Sequence, residues 1–198
     1  MNTAPTKTNI QVNTISDYEV ILFYKYVTIK DPQVLFEREK AVCEVLGLTG
    51  RIIIAEEGIN VTLEGNRSMI RKYKEHILSD KRFRDINIKT SAGTGTAFPR
   101  MSIKIKPEIV ATKLPASVDP RKQTAKYLPA HELKKWYEED KDFIVVDMTN
   151  DYEVASGYFD KTVNPKVKAS RDLPQAVEKL KIHKDKTVVT VCTGGVRC

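Results

Sequence analysis

Little in this sequence favours a membrane protein, a disulfide scaffold or a cofactor-binding fold. No apolar run approaches the roughly 20 residues that cross a bilayer. The opening stretch MNTAPTKTNIQVNT lacks the apolar core of a secretory signal. The expectation is a cytoplasmic protein with no membrane attachment. Three cysteines, Cys43, Cys192 and Cys198, are too few and too unevenly spaced for a disulfide framework, so each reads as core filler, metal ligand or reactive thiol. Neither a Rossmann glycine fingerprint, nor a P-loop, nor an HxxH-type metal cluster occurs, so the motifs call for no cofactor and no metal. Internal repeats and low-complexity tracts are also missing.

What is present fits a globular chain. Its 198 residues, 41% apolar and 30% charged, allow one large or two small domains. The net charge of +7 is a weak pointer to a polyanionic partner, because surface lysines also serve solubility.

Residues 1–16 carry almost no apolar periodicity and read as a flexible tail. From Val20 to Val27 a β-branched and aromatic run predicts a strand, and Asp31-Pro32 then opens a helix, with Asp31 as cap and Leu35, Cys43 and Leu46 near one face until Gly47. Cys43 is thus expected in the core. Two short runs, 51–55 and 59–63, joined by Glu56-Glu57-Gly58, predict a hairpin. A second helix from Asn66 should bury Ile70, Tyr73, Ile77 and Leu78, with further strands at Ile86-Asn87-Ile88 and Met101–Ile105. That order is a split βαβ, ferredoxin-like domain over 17–110, α+β in class, with one strand added.

Periodicity fails over 111–127, which reads as a linker or strap. Beyond it, 128–198 predicts a helix from Pro129 to Tyr137 with Leu133 and Trp136 inward, a buried parallel strand at Phe143–Asp147, a helix from Leu173 to Leu180, and another buried strand at Thr187–Val191. Helices alternating with apolar strands make this half α/β.

Positive charge is concentrated between residues 67 and 89, where Arg67, Arg71, Lys72, Lys74, Lys81, Arg82, Arg84 and Lys89 face only three acids. This segment is either a solvated helix face or an RNA phosphate-contacting patch.

The strongest chemical signal is the run Cys192-Thr193-Gly194-Gly195-Val196-Arg197 directly after the last strand. The carboxyl end of a parallel strand is where α/β sheets hold ligands. Two glycines let the loop curl and aim successive N–H groups at one point, which favours thiolate over thiol, and Arg197 adds fixed positive charge that can also hold an anionic substrate. A tight structural turn is the alternative reading. Cys198 is a resolving thiol or incidental.

CTGGVR, with VVDMTNDYE (145–153) and SGYFDKTVNP (156–165), resembles a rhodanese domain. FYKYV (23–27), GRIIIAEEGINVTLEG (50–65) and DPRKQTAKYL (119–128) are similar to the bacterial rhodanese-related tRNA uridine hydroxylases, so the resemblance covers nearly all of the chain after the tail. It implies oxygen-dependent hydroxylation of the wobble uridine in the tRNA anticodon loop to 5-hydroxyuridine, with molecular oxygen as co-substrate. Cys192 would be catalytic, Thr193, Gly194, Gly195, Val196 and Arg197 would form its cradle, and Arg171 and Asp147 would support it. The amino-terminal domain would position the RNA. Departures from the family pattern are Asp147-Met148-Thr149 in place of Asp-x-Arg, and Lys161-Thr162 in place of Gly-Ala. A rhodanese domain also continues past its loop into a helix that completes the anion cradle. The expectation is therefore an α/β rhodanese-like domain truncated at its active-site loop, with its carboxy-terminal part missing. A sulfurtransferase using the same loop and a non-catalytic RNA-binding module remain open. A phosphatase is less suited, because only four residues separate Cys192 from Arg197. The oligomeric state is not legible.

Overall fold

A computed structural model describes residues 16–113, 115, 118–122 and 124–198. The expected tail therefore lies outside the described residues except for Ser16. Parts of the 111–127 linker also lie outside them.

The first half builds strand β1 (Tyr18–Tyr26), helix α1 (Pro32–Val45), the hairpin β2 (Thr49–Ala55) and β3 (Gly58–Asn66), helix α2 (Arg67–Ser79), and strands β4 (Lys89–Ala92) and β5 (Met101–Ile105). The sheet order is β4-β1-β3-β2-β5, antiparallel except for the β2–β5 pair. This is the expected split βαβ with a strand added beside β2. Alternation along β1 sends Ile21 and Phe23 into the core, where they meet Ile52, Ile54, Ile59, Val61 and Leu63 from the hairpin. Helix α1 covers this face with Leu35 and Cys43, and α2 covers it with Ile70, Tyr73 and Ile77. Each such fully buried apolar side chain contributes about 1.5–3 kcal/mol. Leu22, Tyr24 and Tyr26 necessarily point to the opposite, helix-free face.

Several local expectations change. Asp31 makes no side-chain cap on α1, which starts instead on Pro32, whose missing N–H needs no partner. Leu46 sits at the helix C-cap and is only half-buried. Leu78 is exposed, because at 100° per residue it falls off the stripe that carries Ile70, Tyr73 and Ile77. Residues 86–88 are not a strand. A 3-10 turn at Lys81–Phe83 precedes them, and the Ile86 amide donates back to the Phe83 carbonyl, so the ladder with β1 begins only at Lys89. Ile86 and Ile88 still pack on the core, which explains their apolar signal.

Between Ile105 and Ala130 the described residues hold neither helix nor strand. The segment begins as a strap on the sheet: Ile109 is fully buried, its amide donates to Glu57 Oε1 at 2.8 Å, and its carbonyl accepts from Asn60 Nδ2 at 3.2 Å.

The second half builds α3 (Ala130–Glu138), β6 (Phe143–Asp147), α4 (Asp151–Val154), β7 (Thr162–Val163), α5 (Leu173–Lys179) and β8 (Thr187–Val191). Its sheet is parallel, in the order β7-β6-β8. Central β6 is covered on both faces. Phe143 and Val145 meet Leu133, Trp136 and Tyr137, while Val146 packs with Met148, Val167, Leu173 and Ala176. The expectation that β8 is buried holds only for Val189. The strand lies at an edge of the sheet, and Val188 is 45% exposed. Among the described residues no helix is long and apolar enough to cross a membrane.

Candidate functional site

Cys192 follows the last residue of β8, at the carboxyl end of the parallel sheet, and its thiol is half-buried and free. The chain turns back at once. Gly195 adopts φ +88°, a left-handed angle that only glycine takes without strain, and this aims its amide at Cys192 Sγ, 3.0 Å away. The Cys192 pKa falls to about 5. The largest cause is a hydrogen bond from the Cys198 thiol, followed by the Arg197 and Gly195 amides and the Arg197 charge, all working against burial. The neighbouring Cys192 sulfur and burial push the Cys198 thiol the other way, up.

Glu153, on α4, fixes the loop. Its carboxylate accepts Arg197 Nη1 at 2.8 Å and Nη2 at 2.9 Å, the Asn150 amide at 2.9 Å, and the Thr193 hydroxyl. These bonds, Arg197 first, hold its pKa down to about 2. Both terminal nitrogens of Arg197 are thus engaged within the protein, and a second bond from Nη2 reaches Thr193 Oγ1 at 3.0 Å. The arginine acts as a brace on the loop rather than as an open anion receptor. Asp147 is buried at the end of β6 and accepts the Thr149 amide at 2.9 Å and the Thr149 hydroxyl at 2.6 Å, so Thr149 satisfies the carboxylate locally. Arg171 lies exposed in a 3-10 turn at Ser170–Asp172, with no hydrogen bond to the loop among the described residues.

The helix-free face of the first sheet closes the other side of the loop. Lys89 Nζ donates to the Gly194 carbonyl at 3.1 Å, and the Tyr26 hydroxyl donates to the Val196 carbonyl at 3.4 Å. A Cβ on Gly194 would stand 3.2 Å from Leu22 Cδ2, and one on Gly195 would stand 3.3 Å from the Tyr24 hydroxyl. Burial and then the Cys192 charge raise the Tyr24 pKa, so its hydroxyl stays protonated beside the thiolate. Sequence reading missed Leu22, Tyr24, Tyr26 and Glu153 as site residues. The signal available for β1 was three outward residues at alternate positions, two of them tyrosines.

The eight basic residues of the 67–89 segment are not one patch around this site. Arg67, Arg71, Lys72 and Lys74 lie on α2, which packs on the opposite face of the sheet from the cysteine loop. Lys74 pairs with Glu19 at 2.6 Å, and Arg82 with Asp80 at 2.6 Å. Lys81 and Arg84 are exposed on the turn after α2. Of the eight, Lys89 is the residue bonded to the loop.

Residues 18–109 match the family model described as UPF0176 acylphosphatase like domain. The resemblance to the tRNA uridine hydroxylases holds for most of the chain. It is 45% identical over 184 residues to the tRNA uridine(34) hydroxylase of Onion yellows phytoplasma (strain OY-M), covering 92% of this chain and 59% of that protein. The protein of the same name from Staphylococcus carnosus (strain TM300) is 43% identical over 183 residues, 92% of this chain and 57% of its own length. The chain thus spans less than two thirds of the curated relatives it matches. Among solved structures, the one titled "BlrB - a BLUF protein, dark state structure" aligns with 46% of this chain and 73% of its own, at 22% identity and a TM-score of 0.38.

Proposed function

We propose that this chain is the RNA-positioning and cysteine-bearing portion of a tRNA uridine hydroxylase, which converts the wobble uridine of the anticodon loop to 5-hydroxyuridine. The observation that carries the reading is Cys192, a thiolate held by the Gly195 amide at 3.0 Å at the end of a parallel strand. The names of relatives over 92% of the chain support the substrate. In this reading 128–198 is a rhodanese-like unit with its cradle at residues 193–197, and 17–110 orients the RNA. A tRNA substrate puts the work in the cytoplasm.

In this reading the Cys192 thiolate is the nucleophile. A thiolate adds to C6 of the uracil ring, saturating the C5–C6 bond and making C5 electron-rich. Replacing C5–H by C5–OH with molecular oxygen takes two electrons and two protons and releases water, so a two-electron donor takes part. Elimination of the thiolate from C6 then restores the ring. An anticodon loop is single-stranded, so the base reaches the sulfur at low unstacking cost.

In a deletion strain complemented with the full-length gene, Cys192→Ser abolishes 5-hydroxyuridine measured by nucleoside mass spectrometry. Unchanged nucleoside levels defeat the assignment. The amide-held sulfur also suits a persulfide, which favours sulfur transfer as the second reading. Thiocyanate release from thiosulfate and cyanide, independent of tRNA, selects it.

A further inference from the structure

Across the helix-free face of the five-stranded sheet, strand register assembles four rows. One end row holds Val20, Glu64 and Thr49, and the other holds Tyr26, Gly58 and Ala55. Between them run Lys89-Leu22-Thr62-Arg51-Ser102 and Tyr24-Asn60-Ile53-Lys104. The end rows are occupied by the protein itself. Glu64 is buried beneath the 93–97 loop and accepts the amides of Thr94, Gly95 and Ala97 at 2.7–2.8 Å. At the other end the strap holds Ile109 on Glu57, and Glu57 and Glu108 set a negative field around Tyr26.

The cysteine loop covers Lys89, Leu22 and Tyr24 of the middle rows and the strap bonds Asn60, whereas toward β2 and β5 the rows open at Arg51 and Lys104, and their charge is of one sign. Arg51 and Lys104 are exposed and form no ion pair among the described residues. Strands lie about 4.8 Å apart, so Arg51 stands three spacings, on the order of 14 Å, from Lys89 and the cysteine loop it touches. Tyr24 stands between them, its hydroxyl beside Gly195 and its ring edge-on to Tyr26 at 6.1 Å.

We propose that these two rows bind the single-stranded RNA that flanks the reacting uridine, with Tyr24 stacking on a base and Arg51 and Lys104 receiving phosphates. The inference rests on the function proposed above and locates its RNA track. Open sheet faces that combine aromatic rings with cations hold single strands by stacking and by phosphate neutralisation. A strand leaving the Cys192 loop across Leu22 meets only positive charge, whereas one turning toward Tyr26 meets Glu57 and Glu108. Helix α2, with the densest run of basic residues, lies on the far side of the sheet.

Fluorescence anisotropy with a labelled anticodon stem-loop RNA tests this on the 198-residue chain. Arg51→Glu with Lys104→Glu weakens binding about tenfold or more and flattens the slope of log affinity against log salt by about 1.4, two charges at about 0.7 each. Tyr24→Ala weakens binding with the slope unchanged, and Tyr24→Phe restores it. Arg71→Glu with Lys72→Glu stays within about twofold of the unaltered chain. Cys192 alkylation at the normal rate shows that each charge variant is folded. Weakening by the α2 pair and not by the sheet pair overturns the RNA track while leaving the hydroxylase reading intact. Failure of the unaltered chain to bind the RNA at all, with alkylation normal, overturns both.

Discussion

Glu153 grips Arg197 at two points across 44 positions of sequence, Oε2 to Nη1 at 2.8 Å and Oε1 to Nη2 at 2.9 Å. The same carboxylate caps the turn into α4 through the Asn150 amide. The short helix and the cysteine loop are therefore a single braced unit, and the brace predicts how the site responds to acid.

Glu153→Gln leaves the largely buried Arg197 without its counter-ion and destabilises the chain by about 1–3 kcal/mol in urea denaturation, below the cost of breaking a fully buried pair. The pH dependence has a definite sign. The folded pKa of Glu153 is depressed to about 2, so the stabilisation is fully present above the ordinary carboxylate range and disappears as pH falls toward 2. Wild type and Glu153→Gln should converge in stability there. A difference that persists undiminished at low pH contradicts the ion pair.

A second prediction concerns the fully buried Glu39 on α1. It accepts the Tyr73 hydroxyl at 2.8 Å, His76 Nε2 at 3.1 Å and Arg38 at 3.0 Å. Hydrogen bonds from His76 and Tyr73 keep it ionised against burial. Tyr73→Phe removes one donor from a carboxylate with no access to water and costs about 1–3 kcal/mol. A change below about 0.5 kcal/mol in chemical denaturation would show that the hydroxyl is not holding the helices together.

The split βαβ order and the Cys192 loop were legible in the sequence because both are local signals: apolar periodicity in one case, and a cysteine and two glycines after a strand in the other. Glu39 was not, since a glutamate inside a helix reads as solvent-facing until Tyr73 and His76, 34 and 37 residues later, are known to close over it. Lys89 looked like one more member of a basic run, yet the fold separates it from α2 and bonds it to Gly194. Tyr24 and Tyr26 read simply as strand formers. Their second role depends on where the cysteine loop meets the first sheet, which no single segment encodes.

Lys161 stands where the family resemblance calls for glycine, and it takes φ +59°. Its ammonium partly compensates through Asp140 at 3.0 Å and the Lys141 carbonyl at 3.2 Å. Lys161→Gly relieves the strained angle but frees the unfolded chain, so its net effect stays within about 0.5 kcal/mol of zero. Lys161→Val puts a β-branched residue at that angle and costs about 1–2 kcal/mol. Thermal denaturation of the two variants reads the contrast, and equal melting temperatures would refute the strain.

The most direct measurement of the central claim is the pH dependence of Cys192 alkylation by iodoacetamide, read by mass spectrometry of the modified peptide. The account predicts a midpoint near 5, raised by Cys198→Ala, which removes the largest stabilising donor, yet still below that of a free thiol because the Gly195 and Arg197 amides remain. A midpoint at the ordinary value of 9.0 in the unaltered chain, indifferent to Cys198, would contradict it.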